Sequence, residues 1–322
     1  MPSIVTHHFF AKDVLNNLPN SIKDCILPSI KEFYIFAQSF DNLYYYYLLT
    51  PWKGSNIRTL GNIGQKEKTN LYFKNILYYI KNHNLENNSS VKAYLYGSLC
   101  HYILDKTCHP YIIYISGNPM INKKHRGKHE KMETMIDAII YEKKTNKKLS
   151  KASLENKLLP KIVFSNELIE TMNYVFEKTF GYKNIGKIYN KSIYQGNFIL
   201  KYLVKDRTGI KKYFYKIIDT LNINSSRKYA NLVLNVGKIN YNYMNYNHEK
   251  WYYPANIKIS KTDSFMDLYE KALEECTNII KLTNDYFNNK IELSTLLKII
   301  GNNSYITGLD CNLNLQNINF KD

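Results

Sequence analysis

The chain has 322 residues, 44% of them hydrophobic, enough for a full core in one large domain or two smaller ones. Its 44 basic and 27 acidic residues give a formal net charge of +17, and no apolar run is long enough to span a bilayer as a helix. A transmembrane helical protein is excluded on that reading, whereas anionic partners stay open, although abundant Lys, Asn, Ile and Tyr share A/T-rich codons and coding bias explains the charge more simply.

Taken in order, the chain reads as a string of helices. Thr6 stands where an N-cap would, ahead of a helix from His7 to about Asn17 that ends before Pro19. His7 and His8 fall in its first turn, where the macrodipole disfavours added positive charge and leaves a lone pair free for a metal. Either ring taken alone reads more simply as a packed or surface histidine. Apolar residues at helical spacing cover 20–37, with a break at Pro28. Asp41 then precedes the aromatic run Tyr44–Tyr47, and a carboxylate there needs solvent or a cation. Pro51, Gly54, Gly61 and Gly64 mark 51–66 as loop. A helix follows over 67–82, and Ser90 is placed to cap the next one.

After a break at Gly117-Asn-Pro119, residues 127–143 read as a helix with Met132, Met135, Ile136, Ile139 and Ile140 on its buried face. Beyond a basic linker at 145–158, helical patterns fill 165–180, 184–204, 208–221 and 226–236. Residues 237–263 read as irregular. Ser264 and Asp267 form a capping box for a helix to about Asn288, and a short helix over 293–300 precedes the tail. No alternation is sustained enough for a sheet, and no fixed period repeats. The expected fold is all-α, one helical domain over 1–322, with metal ligands mainly in 1–140 and a helical remainder over 160–322.

The chemistry concentrates in Ser98–Pro110, where His101, Asp105 and His109 recur at steps of four. Such steps drift by only about 40° on a helix, so the three side chains share one face. Pro110 is expected to end that helix. His129, Glu133 and Asp137 repeat the spacing on the following helix, and four of the chain's eight histidines lie between 101 and 129. A lone His on an apolar face is usually just packed. Three imidazoles and two carboxylates together exceed the three or four protein groups that one zinc takes, which points to more than one metal. Cys108, between two of these ligands, reads as packing, and His125 and His248 stay unassigned.

This pattern resembles the bacterial zinc-dependent phospholipase C family, in its phospholipase C/D-like, non-secreted form. The resemblance is carried by the opening Met1–His7, by Asp41 before aromatic residues, by His101-x3-Asp105-x3-His109-Pro110 and by His129-x3-Glu133-x3-Asp137. Trp251-x2-Pro254, Ser264-Phe265 and Ser304–Asp310 look like its later landmarks. It implies an all-helical fold with one to three zinc ions. By that likeness His109, His129 and Glu133 hold one ion, Asp41, His101 and Asp105 a second, and Asp105 bridges to a third near His7. It implies hydrolysis of a phosphodiester, such as a phospholipid headgroup ester, by metal-bound hydroxide, because metals lower the pKa of bound water to around 7. Asp41 is the implied general base. Three departures stand out. Ser39-Phe40 precede the acid where the family usually has Gly-Pro, Gln65 stands where a histidine is usual, and no processed N-terminal amine is expected to serve the third ion.

The leading expectation is therefore a zinc-dependent phosphoric ester hydrolase acting on phospholipid or another phosphodiester, with peripheral membrane contact as a further partner. A nuclease or phosphatase on the same scaffold suits the basic charge but ranks below lipid. A non-catalytic, degenerate member is the other alternative, with a structural metal site serving a lipid- or partner-binding module. Five cysteines without a C-x-x-C pair, and an N-terminus unlike a signal peptide, lead us to expect reduced thiols and a cytoplasmic chain.

Overall fold

The computed structural model describes residues 4–117, 125–221, 228–254 and 256–313. Residues 1–3 of the opening motif, Asn118 and Pro119 of the expected break, and 226–227 of the expected helix lie outside them. The helices are α1 (Ile4–Asn17), α2 (Asn20–Ile26), α3 (Ile30–Phe36), α4 (Ser55–Lys66), α5 (Thr69–Asn82), α6 (Ser89–Ser116) and α7 (Arg126–Thr145). They continue as α8 (Glu155–Leu158), α9 (Asn166–Phe180), α10 (Ile185–Ile199), α11 (Ile210–Leu221), α12 (Phe265–Phe287) and α13 (Leu293–Ile300). Among the described residues the only sheet is an antiparallel hairpin of β1 (Trp251–Tyr253) and β2 (Asn256–Lys261). The fold is all-α, as the periodicity predicts. No described helix is long and apolar enough to cross a membrane.

α6 is the axle. Residues 90–105 are buried on every side, because the helix is apolar nearly all round and α1, α3, α7 and α12 pack against it. Its cap is Asn88 rather than Ser90: the Asn88 side chain accepts from Val91 N at 3.0 Å. Gly97 lets α3 come close, since a Cβ there would lie 2.7 Å from the Phe33 carbonyl oxygen. Pro110 does not end the helix, which runs on to Ser116. Proline removes the donor to the Lys106 carbonyl, and the backbone of Gly308, at φ 66°, packs directly over that carbonyl and Pro110.

Two other expectations are overturned. Residues 55–66 form α4 rather than loop. Gly61 and Gly64 serve there as bare surface, because a Cβ on Gly61 would lie 3.1 Å from the Phe40 carbonyl oxygen and one on Gly64 would collide with the Phe40 ring. Each glycine costs about 1 kcal/mol of helix propensity, while burying Phe40 returns roughly 2 kcal/mol. Thr6 lies inside α1 rather than capping it. The cap comes from Asp137 on α7, whose carboxylate accepts from Val5 N (3.2 Å), Thr6 N (2.8 Å) and Thr6 Oγ1 (2.6 Å). That capping ties α1, and with it His7, to the helix carrying His129 and Glu133.

Elsewhere the differences are local. α10 continues into a π-helical turn at Leu200–Val204, the described part of 226–236 holds only a 3₁₀ turn at Tyr229–Asn231, and the irregular 237–263 contains the hairpin. The Ser264/Asp267 capping box forms as expected.

Candidate metal centre

α6 presents His101, Asp105 and His109 down one face, α7 brings His129 and Glu133 opposite, and α1 adds His7 from the side. Their ligand atoms gather into two buried groups, His7/His101/Asp105 and His109/His129/Glu133. Asp105 joins them. Its Oδ1 lies 3.2 Å from His7 Nε2, and its Oδ2 lies 3.2 Å from His101 Nε2 and 3.6 Å from His109 Nδ1. Glu133 Oε1 lies 2.9 Å from His129 Nε2 and 3.5 Å from His109 Nε2. The rings of His7 and His101 stack with centroids 4.6 Å apart.

The second group is oriented from behind. His109 Nδ1 faces the Tyr305 carbonyl oxygen at 2.9 Å, a pure acceptor, so Nδ1 carries the proton and Nε2 is left as donor atom. His129 Nδ1 lies 2.9 Å from Ser116 Oγ, whose own proton goes to the Ile112 carbonyl at 2.7 Å, so Nε2 is again the free nitrogen. Glu133 is fully buried, and neither of its oxygens has a hydrogen-bond partner; the same holds for Asp105 Oδ2 and both ring nitrogens of His101. Buried carboxylates without partners are costly by several kcal/mol unless a cation is at hand. Two imidazoles and one carboxylate per group are also the donor set of catalytic zinc, which keeps a fourth position open. The residues therefore fit zinc.

Without metal, protons fill the cation's role. Burial disfavours the His109 imidazolium, but Asp105 and Glu133 outweigh it and push the ring up to about 9. Burial opposes ionisation of Glu133, yet the His129 and His109 rings beside it hold it down to about 2. Asp105 is likewise held well below the carboxylate range, against burial, by His109, His101 and His7. His101 goes the other way, because burial pulls its ring down more than Asp105 lifts it. The raised His109 stabilises the metal-free chain fully below pH 6.5, and that contribution fades as pH rises through about 9. Zinc must displace the same proton. Apparent zinc affinity is expected to climb by about tenfold per pH unit up to about 9 and to level off above it, as read by competition with a chelating dye. A flat profile would show that His109 does not ligate.

Asp41 stands outside both groups. The likeness pairs it with His101 and Asp105, whereas the ligand atoms that meet those two belong to His7. Gln65, in the place of the usual histidine, donates Nε2 to Asp41 Oδ1 at 2.5 Å. Asp41 also lines, with Gln38, Tyr45 and Asp137, a cavity of about 30 Å³. His8 points away and packs on Tyr34, and burial lowers it to about 4. Cys108 is a buried thiol that burial keeps protonated. The His125 ring packs against Gly117, and His248 is an exposed residue near Asp267.

Tyr305 is the contributor that residue patterns miss. Its carbonyl orients His109 while its N–H donates to the Gln65 carbonyl at 2.9 Å, so one backbone segment steadies both His109 and the residue holding Asp41. The only sequence signal was its place within Ser304–Asp310.

A family model described as zinc dependent phospholipase C matches residues 6–182, more than half the chain, and spans Asp41 and every side chain of the two groups. No curated protein and no solved structure matches the chain.

Proposed function

Because the chain belongs to the zinc-dependent phospholipase C family, we propose that it is a phosphodiester hydrolase whose substrates are phospholipids. The observation that carries this reading is the junction at Asp105, which sets two three-donor groups side by side in one buried wall. His109, His129 and Glu133 would hold one zinc, and His7, His101 and Asp105 a second. Zinc bound there supplies Lewis acidity toward a phosphoryl oxygen and lowers the pKa of its water to about 7.

The chain's own residues do the positioning. Tyr305 and Ser116 fix the tautomers of His109 and His129, so the donor nitrogens need no rearrangement. Asp41 is the carboxylate left over for proton transfer. It is steadied by Gln65 and borders a cavity with room for one or two water molecules, and we assign it the acceptance of a proton from the attacking water.

The test begins with elemental analysis of protein purified without added metal, followed by hydrolysis assays on vesicles of single-headgroup phospholipids. The reading expects about two zinc ions per chain and headgroup-dependent release of a phosphorylated headgroup. One ion without turnover would reduce the centre to a structural remnant. Salt-sensitive cleavage of nucleic acid with no lipid turnover would replace the substrate.

A further inference from the structure

α11 is mounted inside out. Its apolar residues Ile210, Tyr213, Phe214, Ile217, Ile218 and Leu221 recur at the i, i+3, i+4 spacing of one helical stripe, yet all six face outward, from 41% to 82% exposed. The polar side faces the protein. Lys211 Nζ donates to the Tyr202 and Lys205 carbonyls, both at 2.7 Å, and Tyr215 Oη to the Leu203 carbonyl at 3.2 Å. The Asp219 carboxylate accepts from Tyr229 N (2.8 Å) and Ala230 N (3.0 Å), and the Asp206 carboxylate from Lys212 N (3.0 Å). A helix held on by its polar face keeps its apolar face for something else. No described residue covers it; α11 has no buried residue at all. On the preceding turn Phe198 and Tyr202 are also about half exposed, with ring centroids 4.8 Å apart.

We propose that α11 is an interfacial helix that lays this stripe into the surface of an anionic phospholipid membrane. The charge around it selects that occupant. Lys212 and Lys216, on its polar flank, share a cavity of about 330 Å³ with Lys131 and Lys238. Among the described residues none of the four makes an ion pair, Lys212 Nζ donating only to the Asn235 carbonyl at 2.6 Å, and the only acids on the helix and its lead-in, Asp219 and Asp206, already serve backbone N–H groups. Lysines not neutralised by acids beside an outward apolar stripe are the composition of a helix lying in the headgroup region, where each such cation gains from anionic lipid. The surface also adjoins the metal-bearing helix, since Lys131 and Thr134 of α7 line the same cavity. The inference extends the phospholipid reading by naming how the chain would meet its substrate in bulk, but binding can be read without turnover.

The experiment uses the full chain and vesicles of phosphatidylglycerol and phosphatidylcholine, compared with phosphatidylcholine alone. Cosedimentation is expected with the anionic vesicles and to weaken with salt. Phe214→Trp is expected to shift its emission to the blue on binding and to be quenched by brominated acyl chains. Phe214→Glu/Ile217→Glu, both on exposed positions, is expected to lower partitioning by about tenfold or more while circular dichroism and hydrolysis of a soluble short-chain phosphodiester stay unchanged. Failure of the soluble assay alone would sink the hydrolase and leave the docking helix standing. The docking proposal is overturned by absence of vesicle binding, by binding that the double variant leaves intact, or by a solution dimer or captured protein partner that the double variant abolishes.

Discussion

His129→Ala is expected to lower zinc affinity at the His109/His129/Glu133 group by about 10²–10³-fold and to abolish phosphodiester turnover. A four-ligand zinc site is worth about 10–16 kcal/mol in all, so one ligand accounts for roughly 3–4 kcal/mol. The alanine also leaves Glu133, fully buried, without its nearest imidazole at 2.9 Å. The other histidine of the group, His109, keeps its place, because the Tyr305 carbonyl holds its Nδ1. Equilibrium dialysis with elemental analysis should show the loss of one metal equivalent while the His7/His101/Asp105 group keeps whatever it binds. Ser116→Ala is the milder companion: the ring stays but loses its orienting acceptor, and affinity should fall by about 10–100-fold. Retention of full zinc content by His129→Ala would mean that the ring is packed in the core and does not ligate.

Gln65→His is expected to raise zinc affinity at the His7/His101/Asp105 group by about 10²-fold. Gln65 is 3% exposed and its amide is spent on Asp41 at 2.5 Å, a carboxylate whose charge acts on both His7 and His101. An imidazole there adds one donor of the kind zinc prefers, at a value of about 3 kcal/mol. Because its backbone carbonyl is held by Tyr305 N and Ser304 Oγ, the segment has no reason to move when the side chain changes. Titration against a calibrated chelator would show the second zinc equivalent binding earlier. An unchanged second equivalent would mean that Asp41 and residue 65 belong to the proton-handling side of the centre alone.

How much of this was legible depended on whether the partners were near in sequence. The helix carrying His101, Asp105 and His109, and the one carrying His129 and Glu133, follow from four-residue spacing, and so does their facing one another. Pro110 misleads because the cost of proline inside a helix is decided by what lies over the freed carbonyl, and that neighbour, Gly308, is far along the chain. Gly61 and Gly64 mislead for a similar reason: they read as punctuation, but they are the floor on which Phe40 lies. Thr6 has the right residue type for a cap, while the group that caps α1 sits 131 residues away on Asp137. Tyr305 acts through backbone atoms, which leave no signature in side-chain identity. The inverted mounting of α11 was invisible because periodicity marks a stripe without saying which way it faces.

With His109 as the proposed ligand, the double grip of Tyr305 would make metal loading and closure of the C-terminal segment a single equilibrium. Residues 301–313 lie far beyond the matched stretch 6–182, yet they supply the acceptor that readies His109. By mass action, whatever stabilises the docked segment favours zinc, and zinc in turn clamps the segment. Protease sensitivity near Ser304 should therefore report metal occupancy from outside the centre. A fragment cut at residue 182 would keep every ligand in its sequence and still bind metal poorly, since readiness of the site is a property of the whole chain.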